Sequence, residues 1–211
     1  MTGLFKRGKP PGDPPGDRDE TAGEQRVQSK VLPRFLSAIA RRPSPVLVDL
    51  GPVVGANIAF FGDRLACKIH VEDVCAEIEA HAKRGDGSAM GHALVGRLKY
   101  PPDSIDGVLC WNIFDFLDRK TSLALAARLV QMLRSGGALH GCFGTTAIDL
   151  QHYTRYLVDS EQSLRARPYA ATGKRREVLT TRDINRMFEG LAIDESVLLK
   201  SSSREMLFRK L

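Results

Sequence analysis

Long apolar runs are missing from this chain. No stretch approaches the ~18 uninterrupted apolar residues of a membrane-spanning helix. The opening Met1-Thr-Gly-Leu-Phe-Lys-Arg7 meets proline and aspartate too soon to hold the apolar segment of a signal peptide. Cysteine is sparse as well. The four, Cys67, Cys75, Cys110 and Cys142, show no CxxC spacing, and three lie within or beside apolar runs, as reduced buried thiols do. These absences speak against a disulfide framework and a cysteine-ligated metal. They predict a cytoplasmic protein without a membrane partner.

What is present is enough for one sizeable core: 211 residues, 43% of them hydrophobic. The net charge of +6 permits an acidic partner without requiring one. Much of the excess is local, with Arg165, Arg167, Lys174, Arg175, Arg176, Arg182 and Arg186 in one stretch. We read this stretch as a solvated basic face, because no RNA- or DNA-binding signature accompanies it and nucleic acid is not otherwise indicated. Residues 1–23, rich in proline, glycine and charge, bury too little apolar area to offset chain ordering and are expected to form a disordered tail. The remainder, 24–211, is expected to form one domain.

Apolar spacing sets the expected elements. Val27, Val31, Leu32, Phe35, Leu36 and Ile39 recur at helical intervals from Glu24 to Arg42, with Pro33 splitting or kinking the helix. Strands are expected at Val46–Leu50, Cys67–Val71, Ala93–Leu98, Ile105–Trp111 and Ala138–Phe143. Helices are expected between them, at Ala56–Leu65, Val74–Lys83 and Arg119–Leu133, the last stopping at Arg134-Ser-Gly-Gly137. Gly85–Ser88 reads as a loop. Strands alternating with helices imply a parallel sheet covered on both faces. A helix at Thr181–Phe188 precedes two strands, Ile193–Lys200 and Arg204–Arg209, joined by a serine-rich turn and therefore antiparallel. Segment 146–179 is too long for a plain connection. Tyr153–Val158 and Ser163–Tyr169 within it read as an inserted hairpin, either a substrate cover or a flap for homo-oligomer formation.

The chemistry concentrates in Val46-Leu-Val-Asp-Leu-Gly-Pro-Val-Val-Gly55. A buried strand ends there in a turn with glycines at Gly51 and Gly55, where a nucleotide-like ligand can approach the backbone closely. Glu72 follows roughly 20 residues on, at the end of the next apolar run, where a ribose-binding carboxylate is expected. An adenosine-containing cofactor suits this pattern.

Three segments together resemble the class I S-adenosylmethionine-dependent methyltransferases: the turn with Glu72, then Asp103-Ser-Ile-Asp-Gly-Val-Leu-Cys-Trp111, then Leu133-Arg-Ser-Gly-Gly-Ala138 with the terminal strand pair. The resemblance implies a three-layer Rossmann-like α/β fold with a mostly parallel seven-stranded sheet and an antiparallel C-terminal edge pair. It also implies S-adenosylmethionine as cofactor and a methyl acceptor as partner. By position, Gly51 and Gly55 of the turn would line the methionine part, Pro52 would stand in the same cofactor site, and Glu72 would take the ribose hydroxyls. Asp49 would orient the turn or reach the methionine amino group. Trp111 would offer a flat wall and Asn112 an amide.

The chain also departs from that pattern. Val53 stands where the central glycine of G-x-G-x-G would fall, and Pro52 removes an N–H from the turn. No acidic residue follows the expected third strand, and Asn112-Ile-Phe-Asp115 lacks the prolines of the N/D-P-P-Y motif. Displacement at a sulfonium carbon relies on positioning and desolvation, so no fixed base signature is expected. Asp115, His140, His152 and Tyr153 are the candidates for a base, with His140 favoured as a packed core histidine. A catalytically inactive binding or assembly module on the same fold is the alternative to a methyltransferase. A dinucleotide dehydrogenase fits less well, because the full G-x-G-x-x-G is absent.

Overall fold

The computed structural model describes residues 23–146, 152–172 and 178–211. The expected tail at 1–23 falls outside these but for its last residue. The chain forms β1 (Gln25–Gln28), α1 (Leu32–Ile39), β2 (Val46–Asp49), α2 (Gly55–Leu65), β3 (Lys68–Val71), α3 (Val74–Arg84), α4 (Gly87–Arg97) and β4 (Ile105–Trp111). After a 3₁₀ turn at Ile113–Phe116 come α5 (Arg119–Met132), β5 (Leu133–Gly144), β6 (His152–Ser160), β7 (Ser163–Ala170), α6 (Thr181–Met187), β8 (Leu191–Leu198) and β9 (Ser203–Lys210). No helix among the described residues is long and apolar enough to cross a membrane.

The central sheet runs β3-β2-β4-β5-β9-β8. The first three of these pairings are parallel and the last two antiparallel, which gives the expected edge pair. Every residue of β4 is buried, as a strand covered on both faces must be. Alternation along it sends Leu109 and Trp111 to one side, with α1 and α2, and Val108 and Cys110 to the other, with α3, α5 and α6. The result is the expected three-layer α/β arrangement.

Among the described residues the central sheet has six strands, not seven. Residues 93–98, expected as a third strand, lie in and just after α4, and the expected loop at Gly85–Ser88 is cut short by the start of that helix. Met90, Leu94 and Leu98 are buried at intervals of four, a helical spacing that outweighs the short apolar run Ala93–Leu98. Gly91 brings α4 close to α5: a Cβ there would meet Thr121 Oγ1 at 3.3 Å.

The helix expected over 24–42 is also corrected. Its first part is strand β1, and Pro33 occupies the first turn of α1, where its missing N–H is no loss. Strand β1 pairs antiparallel with β7, and β7 with β6, so the expected hairpin becomes part of a three-stranded sheet. The starts of α3, α5 and α6 follow ordinary capping chemistry. Asp73 accepts the N–H of Ala76 (3.0 Å), Asp118 that of Thr121 (2.7 Å), and Thr180 with Asp183 forms a capping box.

Helix α1 lies directly on the sheet over Gly107. A Cβ added there would sit 2.9 Å from Ile39 Cγ2 and 3.0 Å from both Leu47 Cδ1 and Phe35 Cζ. Gly107→Val is therefore expected to destabilise the fold by about 1–3 kcal/mol through overpacking. Gly62→Ala, inside α2 with nothing within 4 Å of the new methyl, should stabilise by up to about 1 kcal/mol through helix propensity. Urea unfolding midpoints of the two variants check the contrast, and equal shifts would refute the packing role of Gly107.

Candidate functional site

Strand β2 ends at Asp49, whose carboxyl group is buried. Asp49 Oδ1 accepts the backbone N–H of Gly51 at 2.9 Å and the indole N–H of Trp111 at 2.7 Å. Burial raises Asp49 to about 6, against the pull of these two bonds toward the carboxylate. One oxygen atom thus joins the turn after β2 to the end of β4.

Trp111 has a left-handed backbone, φ 48°, which turns the chain out of β4 toward the 3₁₀ turn. Its indole occupies the space beside Gly51. A Cβ at that glycine would lie 2.7 Å from Cδ1 and 2.9 Å from Nε1, so packing requires glycine there. The indole stacks on Tyr156 of β6, centroids 5.1 Å apart and planes 13° apart, and meets the His140 ring edge-on at 5.7 Å. Asn57, buried in the first turn of α2, fastens the same strand. Its amide donates to Tyr156 O and its carbonyl accepts from Val158 N, each at 2.8 Å. The three-stranded sheet is thereby fixed over the carboxyl ends of β2 and β4.

Glu72 immediately follows β3, and its N–H is bonded to Asp49 O at 2.8 Å, so its main chain borders the turn. Its carboxylate accepts from the Tyr100 hydroxyl, and Arg97 Nε stands 3.7 Å away. Burial and this carboxylate both raise the Tyr100 phenol, which keeps it protonated as a donor. Pro52 is half-buried, Val53 is 60% exposed, and nothing lies within 4 Å of a Cβ built at Gly55. The outer face of the turn is open even though its inner face is filled by indole. Asn112 is buried beside Trp111, its backbone carbonyl accepting the Asp115 N–H at 3.2 Å. The seven residues singled out in the sequence, Asp49, Gly51, Pro52, Gly55, Glu72, Trp111 and Asn112, thus gather at one end of the parallel strands.

Of the candidate bases, His140 adjoins the site through the edge of the Trp111 indole. Asp115 is buried and accepts the Gly144 N–H at 3.0 and 3.3 Å, holding the end of β5 to the 3₁₀ turn. Tyr153 is buried against Phe116 and Tyr169, with centroids 4.6 and 5.5 Å away. His152 is half-buried at the start of β6. His140 is the core histidine favoured from the sequence: it is fully buried, with Nε2 2.9 Å from Glu205 Oε1. Glu205 also accepts Ser29 Oγ at 2.5 Å and the Lys30 N–H at 3.3 Å, and Ser29 Oγ accepts the Leu32 N–H at 2.8 Å. Burial alone would raise Glu205, but the bonds from His140 and Ser29 overcome it and hold the carboxyl below its ordinary value. This buried network anchors the start of α1 to β5 and β9.

Asn57, Tyr156 and the Ser29–Glu205 pair were not singled out in the sequence. Asn57 did carry a signal, as an amide four residues before Phe61 on the inward face of a helix. Glu205 stands out only once β9 is known to be covered on both faces.

No protein-family model matches the chain, and no curated protein matches it in sequence. Solved structures match its fold. A Pyrococcus horikoshii protein superposes with a TM-score of 0.52 at 9% identity, covering 86% of this chain and 88% of its own. The Burkholderia thailandensis 1,6-didemethyltoxoflavin-N1-methyltransferase, solved with 1,6-didemethyltoxoflavin and S-adenosylhomocysteine, does so at 0.51 and 15%, covering 91% and 79%. The Streptomyces coelicolor geranyl diphosphate C-methyltransferase gives 0.51 and 10%, covering 85% and 79%. At these identities the likeness is one of fold: the chain has the class I methyltransferase-like fold, with one parallel strand fewer among the described residues than its sequence led us to expect.

The buried carboxyl of Asp49 makes a pH-dependent contribution to stability. Its folded value of about 6 lies above the ordinary 3.8, so the folded state holds the proton more tightly. That contribution is full below the ordinary value and is lost as pH rises through about 6; two units correspond to at most roughly 3 kcal/mol. Asp49→Asn keeps an acceptor for both N–H groups without a charge to bury. Urea unfolding at pH 4.5 and 7.5 should show the variant gaining stability relative to the parent at the higher pH. An unchanged difference between the two pH values would refute this assignment.

Proposed function

We propose that the chain is an S-adenosylmethionine-dependent methyltransferase. The observation that carries this reading is the turn Gly51–Gly55, open on its outer face, bordering the main chain of Glu72 at the adjacent strand end. A ligand with a ribose at one end and a charged amino acid at the other suits that surface. Glu72 would take the ribose hydroxyls, with Tyr100 and Arg97 fixing its carboxylate. Asp49 would attract an ammonium group, since both of its hydrogen bonds fall on Oδ1. Gly55 and Pro52 would border the ligand, and Asn112 would offer its amide. When bound, the cofactor would supply an electrophilic methyl group. The chain's part is then to position the acceptor and keep water out, a role suited to the sheet of β1, β6 and β7 held down by Asn57.

A second reading has its own support. The indole of Trp111 fills the inner face of the turn at Gly51 and is locked by Asp49 and Tyr156. On that reading the fold serves as a binding or assembly module, with the indole as part of its core.

Isothermal calorimetry with S-adenosylhomocysteine separates the two. The methyltransferase reading expects saturable heat from the parent protein and a ten- to hundredfold weaker affinity for Glu72→Ala, the loss of charge-assisted bonds worth about 1.5–3 kcal/mol. No heat from the parent, with binding appearing only in Trp111→Ala, would overturn it in favour of the module.

A further inference from the structure

Many arginines among the described residues are neutralised by a carboxylate where they stand. In the stretch first read as a basic face, Arg165 bonds Asp159 at 2.6 Å and pairs with Glu24 at 3.5 Å, and Arg167 also pairs with Glu24. Lys174, Arg175 and Arg176 lie outside the described residues. At the opposite end of the sheet from the turn, the amino ends of the parallel strands, the balance is different. Arg34 pairs with Glu195 at 2.9 Å. Arg42 and Arg134 share Asp106, at 3.7 and 3.3 Å, and Asp106 also accepts the Val46 N–H at 2.8 Å. Arg41, just beyond α1, and Arg209, near the end of β9, have no ion pair or side-chain hydrogen bond among the described residues.

These two arginines line the same space. A cavity of about 580 Å³ between α1 and the start of β8 is bordered by both, and so is an adjoining one of about 270 Å³ that reaches Gly136 and Gly137. Asp194 lines the larger cavity but is within ion-pairing distance of neither. Partial burial, and then the charge of Arg41, lower the pKa of Arg209 from its ordinary value. The charge of Asp194 acts the other way without reversing the shift, so the cation is only partly compensated, and an anion between the two guanidinium groups would offset the remaining repulsion and the lost hydration. Pro33, Ala38 and Ile193 give the larger cavity an apolar wall.

We propose that the groove between Arg41 and Arg209 binds a small phosphate ester. Two planar forks of donors suit the several oxygens of a phosphate dianion. The apolar wall receives the organic part, and the larger volume holds more than a bare ion. A long nucleic acid fits less well, because the neighbouring arginines that would extend a basic track are already paired with carboxylates.

Calorimetry at constant ionic strength tests this with glycerol 3-phosphate and inorganic phosphate as probes. Glycerol 3-phosphate should bind saturably and more tightly than inorganic phosphate. The double variant Arg41→Ala, Arg209→Ala should weaken it at least tenfold, the lysine pair should weaken it less, and Arg182→Ala with Arg186→Ala should leave it unchanged. The binding of the parent protein is decisive even if the alanine pair folds poorly. The proposal fails if neither probe binds beyond what chloride produces, or if the Arg182/Arg186 variant loses as much as the Arg41/Arg209 variant. It fails equally if the protein sediments with phosphatidic acid vesicles yet ignores both soluble probes. None of these outcomes depends on whether S-adenosylhomocysteine binds at the turn.

Discussion

One carboxylate oxygen organises the upper end of this molecule. Asp49 Oδ1 receives the Gly51 N–H and the Trp111 indole N–H together, so the turn after β2 and the end of β4 cannot move apart without exposing a buried carboxyl. Trp111 then passes the constraint on to Tyr156 by stacking, and Asn57 closes the circuit from α2 to the backbone of the same strand. The small three-stranded sheet is seated by these contacts. A second buried carboxylate, Glu205, does comparable work on the other flank, joining His140 to the segment that opens α1. Two acids held out of water are costly in isolation, and each is satisfied by donors from separate elements.

The same geometry explains why the turn tolerates its unusual sequence. Val53 stands where a glycine is expected, but its side chain points to solvent, while the position that cannot accept a Cβ is Gly51. Pro52 loses an N–H at a place where Gly51 already supplies the one that Asp49 receives. The inner glycine therefore answers to the indole and the outer residues face open space.

Most of the fold was legible in the sequence. Strand β4, with seven consecutive buried residues, and helix α5 fall almost where their patterns put them, because strong periodicity over many residues leaves little choice. The errors lie where a short apolar run has two readings. Ala93–Leu98 is compatible with a strand until Met90 and Leu98 are counted with Leu94, and Gln25–Gln28 acquires its strand character only from β7, far along the chain. Of the site, the positions at the strand ends were readable, since turn chemistry is local. The stacking of Tyr156 and the bridging role of Asn57 were not, because both arise from a sheet that the sequence assembles from distant segments.

The strand replaced by α4 has left β3 at the border of the sheet. A border strand offers unpaired peptide groups to any other chain, and a long flat one invites runaway association. On the β3 side the border is Lys68–Val71, four residues that begin with a solvated lysine. Shortness and charge are the means by which soluble sheets refuse further strands. With α4 in place of a strand, the sheet ends on this side on a border too brief and too hydrated to serve readily as a template for further strands.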